Sequence, residues 1–466
     1  MTTHVVPKAS PATLPELATY LALFAPLFRR STSRASVERY LTGLLTDLPR
    51  KNCDTIAAAV AGTSTERLQH LLTDATWDPQ ALDRQRVTAL VAQSPPQGIL
   101  ALDDTGLPKQ GRGSVGVARL YSGTLGQVAN CQIVVSAHYV ADEPTSPAPR
   151  HWPITAQLYL PEAWATDKAR RATVHVPPEG AFQTKPELAL ALLDQAQAWG
   201  VPFGWVVADA GYGDNPTFLH GLDDRHVAYV VGISSTFGVR LPAEVHAAAL
   251  VRPARPRGRG QPKKPRPAPL YTAKAVLDAL PEPRWQTITW REYAGTVLRK
   301  QFVAVRVHGA TGGTQFSTAH HRVYTGPEGW LLGERPVPGD HGDLKWYYSS
   351  LPADTPLQRL VELAHSRWPI EQFYEDAKGE CGLDDYQGRR WDGLHRHLAL
   401  VMLAYSFLAR QRWTPANPAG FFPLRAAPVV PSGPSPGAAV AVPRRRVMAH
   451  RDQPDCPLPP QADLTK

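Results

Sequence analysis

Two short stretches place carboxylates where chemistry is expected. Ala101-Leu-Asp-Asp-Thr-Gly-Leu-Pro-Lys109 continues an apolar run over 98–102, and Val206-Val-Ala-Asp-Ala-Gly-Tyr-Gly213 closes another over 203–208. Each run reads as a buried strand with an acid at its carboxyl end, the usual address of ligands in α/β sheets. Carboxylates brought together by neighbouring strands repel unless a cation lies between them. Hard divalent ions such as Mg²⁺ accept oxygen ligands of this kind. Two such ions ~3.5–4 Å apart stabilise the attacking and leaving oxygens of phosphoryl transfer. A site of that type needs a third acid, delivered by a helix across the sheet.

Ser366-Arg-Trp-Pro-Ile-Glu-Gln-Phe-Tyr-Glu-Asp-Ala-Lys378 offers one. Ile370, Phe373, Tyr374 and Ala377 follow the spacing that buries one face of a helix, with Pro369 as its first residue. Arg367, Glu371 and Lys378 share an adjacent face. One acid between two bases suits phosphate handling at a metal centre, and the same spacing also suits a surface salt-bridge ladder. Other eye-catching residues fit chemistry less well. His320-His321 and His395-x-His397 have no Cys or His nearby in sequence to complete a zinc site. Gly111-Arg-Gly-Ser-Val-Gly116 lacks the Lys-Ser/Thr ending of a phosphate loop and reads as a mobile loop beside the active centre, with Lys109 and Arg112 near DNA.

The elements that must position these residues form a mixed α/β pattern. Strands over 98–103, 131–140 and 154–160 are followed by a helix at 186–199, a strand at 203–208, a helix at 216–222 and a strand at 227–233. Residues 1–95 read as an N-terminal helical, DNA-binding domain in which Arg29, Arg30, Arg34, Arg39, Arg50 and Lys51 meet phosphates or form a solvated face. A catalytic core over 96–233 resumes at 356–412 with helices over 357–379 and 394–412. Between its two parts, 234–355 reads as a β-rich insertion with strands over 287–293, 297–307, 322–325 and 345–348. Residues 413–466 read as a Pro-rich flexible tail.

The chain has 466 residues, 50 Lys plus Arg against 41 Asp plus Glu, and a net charge of +9. Its 43% hydrophobic content excludes wholesale disorder. The charge has an address: the proline-laced arm 252–269, which includes Arg257, Arg259, Lys263 and Lys264, carries seven bases and no acid. That arm reads as a duplex contact or a solvated linker. The tail adds +3, so the remaining body is nearly neutral. Four scattered cysteines, no run of ~18 apolar residues and no secretory signal lead to the expectation of a cytoplasmic protein with no membrane partner.

The order Asp-x-Thr after one strand, Asp after a second, then Arg-x-x-x-Glu-x-x-x-x-x-x-Lys on a late helix resembles the DDE transposases of bacterial insertion sequences, in their hairpin-forming branch with a β-rich insertion. Gly116-Val-Ala-Arg-Leu-Tyr-Ser-Gly-Thr-Leu-Gly126 and Gly382-Leu-Asp-Asp-Tyr-Gln387 extend the resemblance over about 97–410. It implies an RNase H-like mixed sheet flanked by helices, and two Mg²⁺ ions (with Mn²⁺ as a substitute) held by Asp103, Asp209 and Glu371. Asp103 is preferred to Asp104 because Thr105 completes the pattern; Asp104 then caps a turn. The resemblance further implies phosphate contacts from Arg367 and Lys378, transposon-end and target DNA as partners, and a homodimer in the DNA complex. The family's tyrosine three residues before the arginine is Ala364 here, with Tyr374 a neighbouring replacement. Relatives stack a flipped base on a tryptophan of the insertion; Trp290 and Trp285 are the candidates for that role or for strand packing.

Overall fold

A central strand of an α/β sheet is buried on both faces and so reads as an unbroken apolar run. Strand β1 (Gly98–Pro108) opens with one, Ile99 to Leu102, all buried. It does not stop at Asp103 as its sequence suggests, because an antiparallel partner carries it five residues further. That partner is β3 (Gln127–Ala141), reached through the short β2 (Ala118–Ser122), with Asp103 opposite Ser136 and Pro108 opposite Cys131. β4 (His151–Tyr159), β5 (Trp205–Ala208) and β6 (Ala228–Ile233) complete the core strands. β1–β5 and β5–β6 are parallel, and the remaining pairs are antiparallel.

The computed structural model describes residues 14–122, 126–144, 146, 148–178, 182–250, 267–293, 296–311 and 324–413. The basic residues Arg257, Arg259, Lys263 and Lys264, the pair His320-His321 and the tail from 414 lie outside them. The strands of the region read as an insertion are β7 (Gly238–Arg240), β8 (Tyr271–Thr272), β9 (Gln286–Tyr293), β10 (Thr296–Thr311), β11 (Tyr324–Arg335) and β12 (Lys345–Ser349). They continue the core sheet edge to edge. Trp346 pairs with Ile233 and Ser349 with Val230, giving one 12-stranded sheet in the order β2-β3-β1-β5-β6-β12-β11-β10-β7-β8, with β4 on β3 and β9 on β10. This is the RNase H-like mixed sheet flanked by helices that the motifs imply.

Helices α1 (Pro15–Ala22), α2 (Ser31–Leu45), α3 (Cys53–Ala59), α4 (Thr65–Thr73) and α5 (Pro79–Val91) precede the sheet. α3 opens with an Asn52/Thr55 capping box, and Ser64 and Asp78 cap α4 and α5. Later come α6 (Glu162–Ala165), α7 (Lys168–Thr173), α8 (Lys185–Ala198), α9 (Ala210–Gly213), α10 (Pro216–Asp224), α11 (Pro242–Leu250) and α12 (Ala273–Asp278). The single helix expected over 357–379 is two, α13 (Leu357–Ala364) and α14 (Trp368–Cys381), followed by α15 (Trp391–Trp413). α14 ends at Gly382, whose left-handed backbone (φ 66°) glycine adopts without the penalty of a side chain.

Two apolar layers follow from the strand alternation. Ile99 and Ala101 of β1 and Val207 of β5 share one core with Ile370, Phe373 and Ala377 of α14 and Leu398 of α15. Leu100, Leu102, Val206 and Ala208 pack on the opposite face with Leu188 and Leu192 of α8 and Phe218 of α10. The N-terminal helices close around α15. Tyr40 Oη lies 2.8 Å from His397 Nδ1, and fully buried Arg86 donates to Asp83 and to the Pro153 and Ile154 carbonyls of β4. Lys51, one of the bases read as a phosphate contact, is 3% exposed and donates to the Leu44 and Glu380 carbonyls, so it ties α2 to the end of α14 instead.

Candidate active site

The register of the parallel pair decides where the acids meet. β1 and β5 align Ile99 with Trp205 and Ala101 with Val207. Two residues on, the same alignment sets Asp103 beside Asp209, whose backbone is still extended (φ −84°, ψ −177°). Side chains alternate along a strand, so Asp103 shares a face with Ala101, and Asp209 with Val207. Both acids therefore face α14.

Asp209 caps α9, its Oδ1 accepting the Gly211 N–H at 3.0 Å. The turn it starts is pressed against β6, where a Cβ on Gly213 would lie 2.0 Å from the Gly232 carbonyl oxygen. Burial pushes the Asp103 carboxyl up to about 7, with Arg367 opposing the shift and Asp209 adding to it. Burial likewise raises Asp209, again against Arg367. Two partly desolvated carboxylates side by side are a site that gains from a cation.

α14 supplies the complement. Its lower face buries Ile370, Phe373 and Ala377, as their spacing predicts, and Pro369 lies in its first turn. Arg367 precedes the helix and spans two acids, donating from Nη1 to Asp103 Oδ2 at 2.5 Å and from Nη2 to Glu371 Oε1. Burial disfavours the charge on Arg367, but Asp103, Glu371 and Asp209 together raise its pKa. Lys378 Nζ donates to Thr105 Oγ1 at 2.7 Å and to the Gly106 carbonyl at 3.2 Å. Arg367 and Lys378 are thus turned toward the acidic strand, and Glu371, exposed to solvent, is joined to it through Arg367.

Among the described residues, no three His, Cys, Asp or Glu side chains stand close enough together to hold an ion as they are arranged. Asp103 and Asp209 form a pair, and the Arg367 guanidinium lies between Asp103 and Glu371 as the counter-cation. In chemical type the donors, all carboxylate oxygens, fit a hard divalent ion, and a resident positive charge already bridges two of them.

Asp209, Arg367 and Glu371 open onto a cleft of about 380 Å³ walled by Trp346 and Tyr347 of β12 and by His365 and Trp368. His365 stacks on Trp290 (centroids 4.0 Å apart, planes at 13°) and sits 3.2 Å from Glu334 Oε2. Glu334, 1% exposed, also accepts from Tyr347 Oη at 2.8 Å and from Lys300. Burial would raise its carboxyl, yet His365 and Lys300 bring it down to about 2. Sequence reasoning missed this group because cross-strand partners on β10, β11 and β12 leave no local spacing to read. Only the tryptophan was visible, and the structure gives Trp290 a packing partner, His365, on one ring face.

Other residues singled out in the sequence have the following settings. Asp104 caps no turn; it lies within β1 on the α8 face, where Lys185 Nζ reaches its carboxylate at 3.0 and 3.1 Å. Tyr374 is 8% exposed with its hydroxyl 2.6 Å from Ser136 Oγ, so it packs beside Asp103 without opening onto the cleft. Lys109 Nζ donates to the Tyr386 carbonyl at 2.5 Å, and burial lowers its pKa to about 8. The glycine-rich loop after it is tethered: Asn130 Nδ2 donates to the Gly111 carbonyl at 2.9 Å and the Val115 N–H donates to the Arg389 carbonyl at 2.9 Å. Arg112 on that loop is exposed. His395 is half-buried and His397 buried, both apart from any metal-ligating cluster among the described residues, with His397 bonding Tyr40 and the Gly382 carbonyl.

Residues 23–296, more than half the chain, match the family model described as DDE superfamily endonuclease. A "Probable transposase for insertion sequence element IS701" from Microchaete diplosiphon is 29% identical over 247 residues, 52% of this chain and 60% of that relative. The chain therefore spans about 60% of the length of the curated relative it matches. Among the described residues no helix is long and apolar enough to cross a membrane. With two acids at the ends of parallel pairing, an acid-bearing helix against them and a family model covering both strands, the chain belongs to the DDE superfamily of endonucleases.

Proposed function

We propose that the protein is a DNA transposase that cuts at the ends of its mobile element and joins them to target DNA by cut-and-paste transfer. The observation that carries this reading is the alignment of Asp103 beside Asp209 on the face covered by α14, with Glu371 joined to them through Arg367. Asp103, Asp209 and Glu371 would hold the divalent ions, Mg²⁺ in the cell. Bound there, such ions stabilise charge on the attacking and leaving oxygens of a phosphodiester. The protein contributes position and charge and forms no covalent bond to DNA.

Arg367 and Lys378 are the phosphate ligands beside the cleaved bond. Arg367 is pre-charged by its acidic neighbours, and Lys378 is anchored on Thr105, two residues from Asp103. The Trp290–His365 stack forms the wall on which a base displaced from the duplex would rest. The arm carrying Arg257, Arg259, Lys263 and Lys264 and the N-terminal helices add non-specific duplex contacts. Pairing two ends in one complex calls for a homodimer, working on DNA in the cytoplasm.

The alternative, a catalytically retired DNA-binding protein with the same fold, leaves the convergence of Asp103, Asp209 and the Arg367–Glu371 pair without a purpose. Plasmid carrying the flanking inverted repeats tests the two readings. Wild type with Mg²⁺ should release the element, and EDTA or Asp209→Asn should stop it. DNA binding without cleavage under every metal condition would favour the alternative, and cleavage that persists in Asp209→Asn would refute the site.

A further inference from the structure

Asp104 has no role in the chemistry proposed above, yet it is the most heavily engaged acid near it. It points away from Glu371, toward α8. Lys185, the first residue of α8, reaches both its oxygens at 3.0 and 3.1 Å, and Tyr212 donates its phenol to Oδ2 at 3.2 Å. Tyr212 is 2% exposed and belongs to α9, the turn that Asp209 begins. The Asp104 backbone N–H meanwhile donates to Asp103 Oδ1 at 2.8 Å. One residue thus touches the strand acid through its amide and the Asp209 turn through its carboxylate.

That linkage matters because the register brings the two acids side by side, but no ladder pairing holds Asp209 itself. The β1–β5 ladder ends at Ala101 and Val207, and the β5–β6 ladder ends at Ala208 and Val231, so Asp209 stands beyond both. Its turn is held on the β6 side by the close approach of Gly213 to Gly232. On the β1 side the tie is the Tyr212–Asp104 hydrogen bond. Lys185 pairs with the Asp104 carboxylate and is fixed in turn by the Thr184/Glu187 capping box of α8.

We propose that Asp104 is a positioning residue that sets the separation of Asp103 and Asp209, and through it the affinity of the acidic pair for a divalent ion. This rests on the assignment of Asp103 and Asp209 as ligands. Residues that orient metal ligands through such hydrogen bonds change affinity by roughly 10–100-fold when removed. The arrangement also explains the doublet: Asp103 faces the acids and Asp104 faces the brace, on opposite sides of one strand.

The test uses Mn²⁺ alone, titrated into the full chain without DNA and followed by the paramagnetic signal of free ion. Asp103→Asn should abolish binding. Asp104→Asn and Tyr212→Phe should each weaken it roughly 10–100-fold, and the double variant should be no weaker than Asp104→Asn, because both cut the same tie. Wild-type affinity in both single variants, or fully additive losses, overturns the inference. If Asp103→Asn binds Mn²⁺ like wild type, the ligand assignment itself has failed. Amide hydrogen exchange at Gly211, Tyr212 and Gly213 gives a metal-free readout of the same tie. Faster exchange in Tyr212→Phe supports it, and unchanged exchange overturns it whatever the metal result.

Discussion

Replacing Arg367 by Gln should tighten divalent-ion binding in the DNA-free protein, although Arg367 is itself assigned to the DNA-binding machinery. The guanidinium bridges Asp103 and Glu371, so an incoming cation must first displace it. Charge-assisted hydrogen bonds of this kind contribute about 1.5–3 kcal/mol each. The Glu371 side chain is 50% exposed, so its half of the bridge is largely screened and only the Asp103 contact is counted at full weight. At ~1.4 kcal/mol per decade, losing that contact favours the ion by roughly 10–100-fold. Protons compete for the same oxygens. Burial already holds Asp103 up to about 7 against the opposing effect of Arg367, and without Arg367 the carboxyl rises further. The assay is therefore Mn²⁺ titration at alkaline pH, which lessens the competition of protons for Asp103 in both proteins. Weaker or unchanged Mn²⁺ binding in Arg367→Gln would refute the view of Arg367 as a resident counter-cation. On DNA the sign reverses: the same variant should lose end binding, because the phosphate then has no guanidinium to meet.

Three further outcomes follow from named contacts. Burial lowers the His397 pKa from 6.5 to about 4, so the fold keeps it neutral while the unfolded chain takes a proton. Stability is complete above pH 6.5 and falls as pH drops toward 4, by on the order of 3 kcal/mol from this residue alone; urea melts at pH 7.5 and 5 measure it. Gly213→Ala would push a methyl group to 2.0 Å from the Gly232 carbonyl, and forced overpacking costs about 1–3 kcal/mol, so the variant should melt lower and bind Mn²⁺ more weakly. An unshifted melt would show that the β6 side of the Asp209 turn is looser than the backbone indicates. Lys378→Met should weaken DNA binding uniformly across sequences and reduce the slope of log affinity against log salt by about 0.9, as expected for one lost phosphate contact.

The parts of the site that were legible in the sequence are those carried by local periodicity. Gly98 to Leu102 and Phe203 to Ala208 read as strands because parallel central strands are apolar on both faces. The stripe Ile370, Phe373, Tyr374 and Ala377 located α14 and, with it, the face bearing Arg367, Glu371 and Lys378. What stayed hidden depends on pairing between distant segments. β1 runs past Asp103 because β3 continues beside it, and nothing in Asp-Asp-Thr-Gly-Leu-Pro announces that partner. For the same reason Asp104 reads as a turn cap when its ligands, Lys185 and Tyr212, lie 81 and 108 residues away. Of the insertion strands, β9, β10 and β12 were visible one by one, whereas β7 and β8 were not read and β11 (Tyr324–Arg335) was read only as 322–325; the fusion to the core through β12 and β6 is a register that only the folded chain reveals. Glu334 shows the same limit, since its partners Lys300, Tyr347 and His365 come from separate elements. Lys51 shows the converse: charge suggested phosphate, and burial against two carbonyls gave it to the α2–α14 junction.

The central claim is that Asp103, Asp209 and Glu371 together hold the ions at the cleaved phosphate. It is tested most directly by anomalous diffraction from crystals of the protein bound to its own cleaved ends and soaked in Mn²⁺. The account predicts Mn²⁺ peaks in contact with Asp103 and Asp209, with Glu371 released from Arg367 to complete the set and Arg367 turned onto a phosphate. Peaks held by other side chains, or a bound, cleaved end with Arg367 still spanning Asp103 and Glu371, would contradict it.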